Sequence, residues 1–257
     1  MKNLIACRVA SYGDYQERAW THLPSLGVRF VEIPVPEPGE LKALSAKLRD
    51  HGLAASSLQA RCDVTAGDAV EVMRPQLEAC RELGAKVCFL SAKAGSADRK
   101  EVYSRIQAIG EVADGLGVVV ALETHPDLMT NGSQALETMK AINHPSVRVN
   151  FDTANVYFYN QGVTAVGELR KIVDFVAAVH LKETPGGYQE WNFPALGRGV
   201  VDFPQVFNLL NDRGFRGPFT LELEGTRGVT RTEAQQLQYV EESVAYLRRI
   251  GAMDGQS

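Results

Sequence analysis

Short β-branched or apolar runs alternate along this chain with amphipathic stretches about a dozen residues long. The runs that predict strands cover residues 4–10, 28–33, 53–58, 87–91, 118–123, 147–152, 176–181 and 219–223. Between them the polar and apolar positions take helical spacing. In Ala69–Leu83, Val72, Leu77 and Cys80 are interleaved with Arg74, Glu78 and Arg81, while Pro75 is expected to bend or delay the helix. Gly27, Gly52, Gly84, Gly117 and Gly214 each stand just before a strand, where a helix end calls for positive φ. No linker or low-complexity tract divides the chain, so residues 1–257 are read as one domain. Eight βα units in roughly 250 residues predict a (β/α)8 TIM barrel. A doubly wound sheet would have fewer strands and a glycine fingerprint after the first, and neither G-x-G-x-x-G nor G-x-x-x-x-G-K-[ST] occurs.

Composition narrows the function classes. With 45% hydrophobic residues and a net charge of -4, the chain is not a disordered one. Its longest apolar stretch, residues 116–122, falls far short of the ~18 residues a membrane span needs. Arg8 interrupts the first apolar run, against a signal peptide. The four cysteines form no C-x-x-C pair and read as buried thiols of a cytoplasmic protein. The mixed, slightly acidic charge argues against nucleic acid and leaves a small molecule as the expected partner.

Barrel active sites lie at the C-terminal ends of the strands. That rule sets aside His22, His51 and His144, which fall on helices or on the opposite rim, and keeps His125 and His180. The last four predicted strands end in A-L-E-T-H, N-F-D-T-A-N, V-H-L-K-E and T-L-E-L-E. Alternation puts Glu123 with His125, His180 with Lys182, and Glu222 with Glu224 on the interior face, because Leu122, Leu181 and Leu221 then point to the helices. Carboxylates converging inside a barrel repel unless a cation or protons intervene. Glu123, Asp152, His180 and Glu222 therefore form a candidate metal set. Three oxygen donors and one nitrogen suit Mn²⁺ best, with Mg²⁺, Co²⁺ or Zn²⁺ as alternatives. The competing interpretation is an ion-pair network neutralised by Lys182 and Lys93. Lys182 and His125 are also candidate substrate-binding residues. Glu224 is read as a rim residue, and the aromatic residues Tyr157, Phe158, Tyr159, Tyr188, Trp191 and Phe193 are expected to flank a sugar or pack on neighbouring loops. The segment 184–198 is a lid candidate, and Asn131 a helix start.

The same residues carry a family resemblance. V-A-L-E-T-H-P, N-F-D-T-A-N, V-H-L-K-E and G-P-F-T-L-E resemble segments of the sugar-phosphate isomerase/epimerase superfamily of xylose-isomerase-like TIM barrels, with ketose 3-epimerases, hydroxypyruvate isomerases and inosose dehydratases among its members. L-G-R-G-V-V-D-F, from Leu196, is similar to the connection before the last helix pair in such proteins. The resemblance implies one divalent metal on Glu123, Asp152, His180 and Glu222, with both glutamates also transferring protons. It implies an isomerase or epimerase of a sugar, keto-sugar or sugar derivative, working by proton abstraction to a metal-stabilised enediolate. A dehydratase beginning with the same abstraction is the alternative. Asn155 occupies the place where related ketose epimerases often have a substrate-binding histidine, and no arginine follows soon after His180. These departures weigh against simple free-ketose 3-epimerisation, and Asn155, with Trp191, joins the substrate-binding candidates. A zinc nuclease on this fold, resembling endonuclease IV, would need more than the five histidines present. A silent sugar-binding barrel would be expected to lack one of the glutamates. A carbohydrate is thus the expected partner, membranes are excluded, and homo-oligomer formation is left open.

Overall fold

The computed structural model describes residues 3–254. Eight parallel strands close a barrel: β1 (Leu4–Arg8), β2 (Phe30–Pro34), β3 (Ala54–Gln59), β4 (Val87–Leu90), β5 (Val119–Glu123), β6 (Val147–Asp152), β7 (Val176–Leu181) and, after a short strand β8 (Asn192–Phe193), β9 (Pro218–Leu221). Pairing of Leu4 with Pro218 through Cys7 with Leu221 seals β1 against β9. The helices are α1 (Ala19–Ser25), α2 (Leu41–Asp50), α3 (Ala69–Leu83), α4 (Arg99–Leu116), α5 (Gly132–Ile142), α6 (Asn155–Tyr159), α7 (Ala165–Ile172), α8 (Phe203–Asp212) and α9 (Glu233–Arg249). The barrel is thus the (β/α)8 fold that the alternation predicts.

Differences from the expected boundaries have local causes. β1 stops at Arg8 because Val9–Arg18 coils into 3₁₀ turns. α3 is not delayed by Pro75, which stands inside it. The lost backbone bond is offset by burial of Met73, Leu77, Ala79 and Cys80 on either side of the proline. Gly84 and Gly117 close α3 and α4 with φ of 75° and 65°, as helix ends before strands demand. Asn131 starts α5 by accepting a hydrogen bond from the Gln134 N–H at 3.0 Å. β8 pairs antiparallel with β10 (Gly225–Thr226). Each has two residues, too few to leave a periodic signature.

Two apolar regions result from the alternation of strand side chains. The larger lies between strands and helices, where Cys7, Val31, Leu58, Cys88, Leu122, Phe151, Val179 and Leu221 meet helix residues such as Leu77, Ile109, Leu169 and Leu247. The smaller is inside the barrel and consists of Val87, Phe89, Ala121 and Ala178. Much of the remaining interior is polar: Glu32, Ser57, Glu123, Asn150, Asp152, His180, Lys182, Thr220 and Glu222 are all buried. Groups of this kind are costly to bury without partners.

Candidate functional site

Strand geometry assembles the site. Glu123 and Asp152 are the last residues of β5 and β6, His180 is the penultimate residue of β7, and Glu222 follows β9. Asp152 pairs in register with His180, and His180 with Thr220, so their side chains share the interior face. One donor atom from each of Glu123, Asp152, His180 and Glu222 lies within 4.8 Å of the others. All four residues are buried.

Each is held in a fixed orientation. Asp152 Oδ1 accepts from the backbone N–H groups of Ala154 (2.8 Å) and Asn155 (2.9 Å), which turns Oδ2 toward the interior. Glu123 accepts a short hydrogen bond from Ser91 Oγ. His180 Nδ1 lies 3.1 Å from Glu123 Oε1 and 3.3 Å from Glu222 Oε2. Glu222 is also paired with Arg8. Lys182 Nζ stands 2.9 Å from Asp152 Oδ2, 2.8 Å from Glu222 Oε2 and 2.9 Å from Glu224 Oε2.

Burial and neighbouring charge compete here. Burial pushes the Asp152 carboxyl up to about 7 although Lys182 opposes it. Burial also disfavours the charge on Glu222, but Lys182, His180 and Arg8 hold it well below the usual carboxylate range. Burial disfavours the charge on Glu123 as well, but the hydrogen bond from His180 and the charges of His180 and Lys182 together lower its pKa. The His180 imidazole is desolvated, yet Glu32 and Glu222 raise it well above its ordinary value.

The donor set fits a divalent cation on its own chemistry. Among the described residues, four buried carboxylates (Glu32, Glu123, Asp152 and Glu222) meet the cations Arg8 and Lys182 and one imidazole, with Glu224 at the rim. Three carboxylates and one imidazole brought together in a buried interior form an oxygen-rich donor set that matches a hard ion.

The candidate substrate-binding residues take different places. His125 is half-buried, with its ring 3.1 Å from the Tyr159 hydroxyl and tilted by 52° against that residue's ring at a centroid distance of 4.9 Å. Trp191 joins Phe158 and Phe193 in an edge-to-face group with centroids 5.3–6.0 Å from its own. A cleft of about 430 Å³, lined by Arg8, Tyr12, Tyr15, Trp191, Glu222 and Arg231 among others, reaches the ligand set at Glu222. This is the size class of small-molecule sites. Lys182 is buried among the acids, and Lys93 is exposed. Asn155 is buried and spends its amide nitrogen on the Thr124 carbonyl at 3.0 Å. Glu224 stays outside the four-residue set, as its rim position predicts. His51 bonds the Lys47 carbonyl and His144 accepts from the Ser146 N–H, both structural roles.

The wall formed by β1–β3 was not anticipated. Arg8, Glu32, Ser57 and Gln59 point into the barrel: Arg8 donates to Gln59 (2.7 Å), and Ser57 to Glu32 (2.7 Å). The signal was present in F-V-E-I-P, where a lone acid between Val31 and Ile33 has only the interior face open to it.

Comparison with known proteins agrees with this architecture. A family model described as xylose isomerase-like TIM barrel matches residues 21–250. A ketose 3-epimerase of Arthrobacter globiformis is 29% identical over 246 residues, covering 79% of this chain and 80% of the relative. An L-ribulose-5-phosphate 3-epimerase of Shigella flexneri serotype 5b is 28% identical over 170 residues, and the match spans 63% of this chain and 58% of that protein's length. Among solved structures, a D-allulose 3-epimerase from Methylomonas sp. in complex with D-allulose superposes with a TM-score of 0.73 at 19% identity, over 96% of this chain and 97% of the other. Among the described residues no helix is long and apolar enough to cross a membrane.

Proposed function

The chain belongs to the xylose isomerase-like TIM barrel family, and from its likeness to ketose and ketose-phosphate 3-epimerases, which outweighs the departure at Asn155, we propose that it is a divalent-metal-dependent 3-epimerase of a ketose or ketose phosphate. The observation that carries this reading is the pair of buried glutamates, Glu123 and Glu222, that meet one imidazole nitrogen from two strands. Glu123, Asp152, His180 and Glu222 would hold the metal, Mn²⁺ in first place. When bound, such a cation supplies Lewis-acid polarisation of a substrate carbonyl.

The chain's own residues do the rest. One ionised glutamate takes the proton from the carbon beside the carbonyl, and the other, after taking up a proton from solvent, returns it to the opposite face, which inverts that centre. Epimerisation in one direction starts at Glu123 and in the other at Glu222. Arg8 and Lys182 keep Glu222 ionised and so able to accept a proton. Trp191 lines the cleft and would bind the sugar together with His125 and Lys182, and Asn155 holds the Thr124 backbone next to Glu123. A small carbohydrate as the partner, in place of nucleic acid, and operation in the cytoplasm complete the reading.

The test is metal analysis after Mn²⁺ loading, then incubation with free ketoses and ketose phosphates in D₂O. The expected outcome is about one ion per chain, with deuterium incorporated at C3 as the epimer appears. Activity that survives chelation with no stoichiometric ion, or a complete lack of exchange on every ketose, would overturn it.

A further inference from the structure

Glu32 takes no part in the reaction above, yet it is only 1% exposed and lies inside the barrel. An isolated carboxylate there would be strongly disfavoured, so its partners explain its presence. Ser57 Oγ donates to Oε2 at 2.7 Å, and Arg8 Nε is 3.9 Å from Oε1. The remaining contact is with the metal-set histidine, whose Nε2 lies 3.1 Å from Oε1 and 3.2 Å from Oε2.

A carboxylate oxygen facing Nε2 is placed to accept a hydrogen carried on that nitrogen, the pairing that suits a histidine whose other nitrogen serves a cation. The amide of Asn150 lies 3.1 Å from the same nitrogen, and its Oδ1 has no hydrogen-bond partner. Turned about, that amide offers Nε2 a second acceptor. The other ring nitrogen, Nδ1, faces Glu123 and Glu222. Phe89 meets the imidazole edge-on at 4.9 Å and limits its rotation.

The geometry points to Glu32 as the positioning residue of the metal site: it fixes His180 with the proton on Nε2, leaving Nδ1 to the cation. This rests on the metal-dependent reading given above. Carboxylates that hold ligating histidines in this way typically change metal affinity by 10–100-fold when removed.

Calorimetric titration with Mn²⁺ tests the assignment on the full chain. Glu32→Ala is expected to weaken Mn²⁺ binding by about 10–100-fold. Glu32→Gln should recover part of that loss, because its amide oxygen still accepts from Nε2–H. A role in stability alone would lower the melting temperature and leave affinity unmoved. A second measurement does not depend on any variant: in the Mg²⁺-loaded, ¹⁵N-histidine-labelled wild type, NMR should find the His180 proton on Nε2. Wild-type Mn²⁺ affinity in Glu32→Ala, or a proton on Nδ1 in that spectrum, would overturn the proposal. The two readings fail differently. A wild type that binds no Mn²⁺ removes the metal-dependent reading itself, whereas tight binding indifferent to Glu32 removes only this assignment.

Discussion

At the scale of single residues, Glu123 and Glu222 differ in how they are held. Glu123 is fixed by Ser91 and His180, whereas Glu222 is wedged between two full positive charges, Arg8 and Lys182. Replacing either by Gln keeps a neutral oxygen ligand and removes a base. Each variant is expected to lose about 10²–10⁴-fold in net turnover. They should part in solvent exchange. The variant that retains the abstracting glutamate should wash label out of the substrate without making product, and the other should do neither. Full turnover in both variants with metal bound would refute the two-glutamate scheme. These glutamates, with Asp152 and His180, were legible in the sequence because each follows an apolar run whose alternation leaves one face for it. Arg8 and Glu32 were not, since a single charge in a strand carries no spacing and its meaning depends on what the barrel brings opposite.

At the scale of elements, the connection from β7 to α8 shows where sequence reasoning ran out. Glycines and length suggested a lid over residues 184–198. The chain instead ties this segment down. The buried Glu183 carboxylate accepts from the backbone N–H groups of Thr184 (3.0 Å), Gly197 (2.9 Å) and Val201 (3.1 Å). Gln189 N–H reaches the Phe158 carbonyl at 3.0 Å, and β8 is clamped by β10. Such anchors use backbone groups, which no side-chain pattern announces. Close packing adds to them: a Cβ on Gly199 would lie 2.2 Å from the Thr184 carbonyl oxygen. Glu183→Ala should destabilise the protein by about 1–3 kcal/mol, because buried N–H donors lose their acceptor. Urea denaturation measures this, and an unchanged midpoint at constant slope would show that the carboxylate is dispensable. By contrast the Asn131 cap of α5 was readable, since capping is a local side-chain property.

For the molecule as a whole, the barrel and its eight-strand order followed from the rhythm of the sequence, while the closing pairing of β1 with β9 followed only from the fold rule. A cation held by four strands binds the folded chain and not the unfolded one. At 100 times its dissociation constant it should add about 2.7 kcal/mol, which for a domain of this size raises Tm by roughly 5–11 °C. Melting curves with Mn²⁺ and with chelator check this; coincident curves would mean that no folded-state site exists. The ligands also come from neighbouring strands, β5, β6, β7 and β9, whereas β2, β3 and β4 supply none of them. An ion would therefore act as a pin through one side of the wall. Amide hydrogen exchange, followed by mass spectrometry, should slow on Mn²⁺ addition most in β5 through β9 and less in β2 through β4, which meet the ligand set through Glu32. Uniform slowing around the ring would contradict this. A ring of eight similar staves is thus expected to breathe as two unequal arcs, and the arc that carries the chemistry is the one that the ion stills.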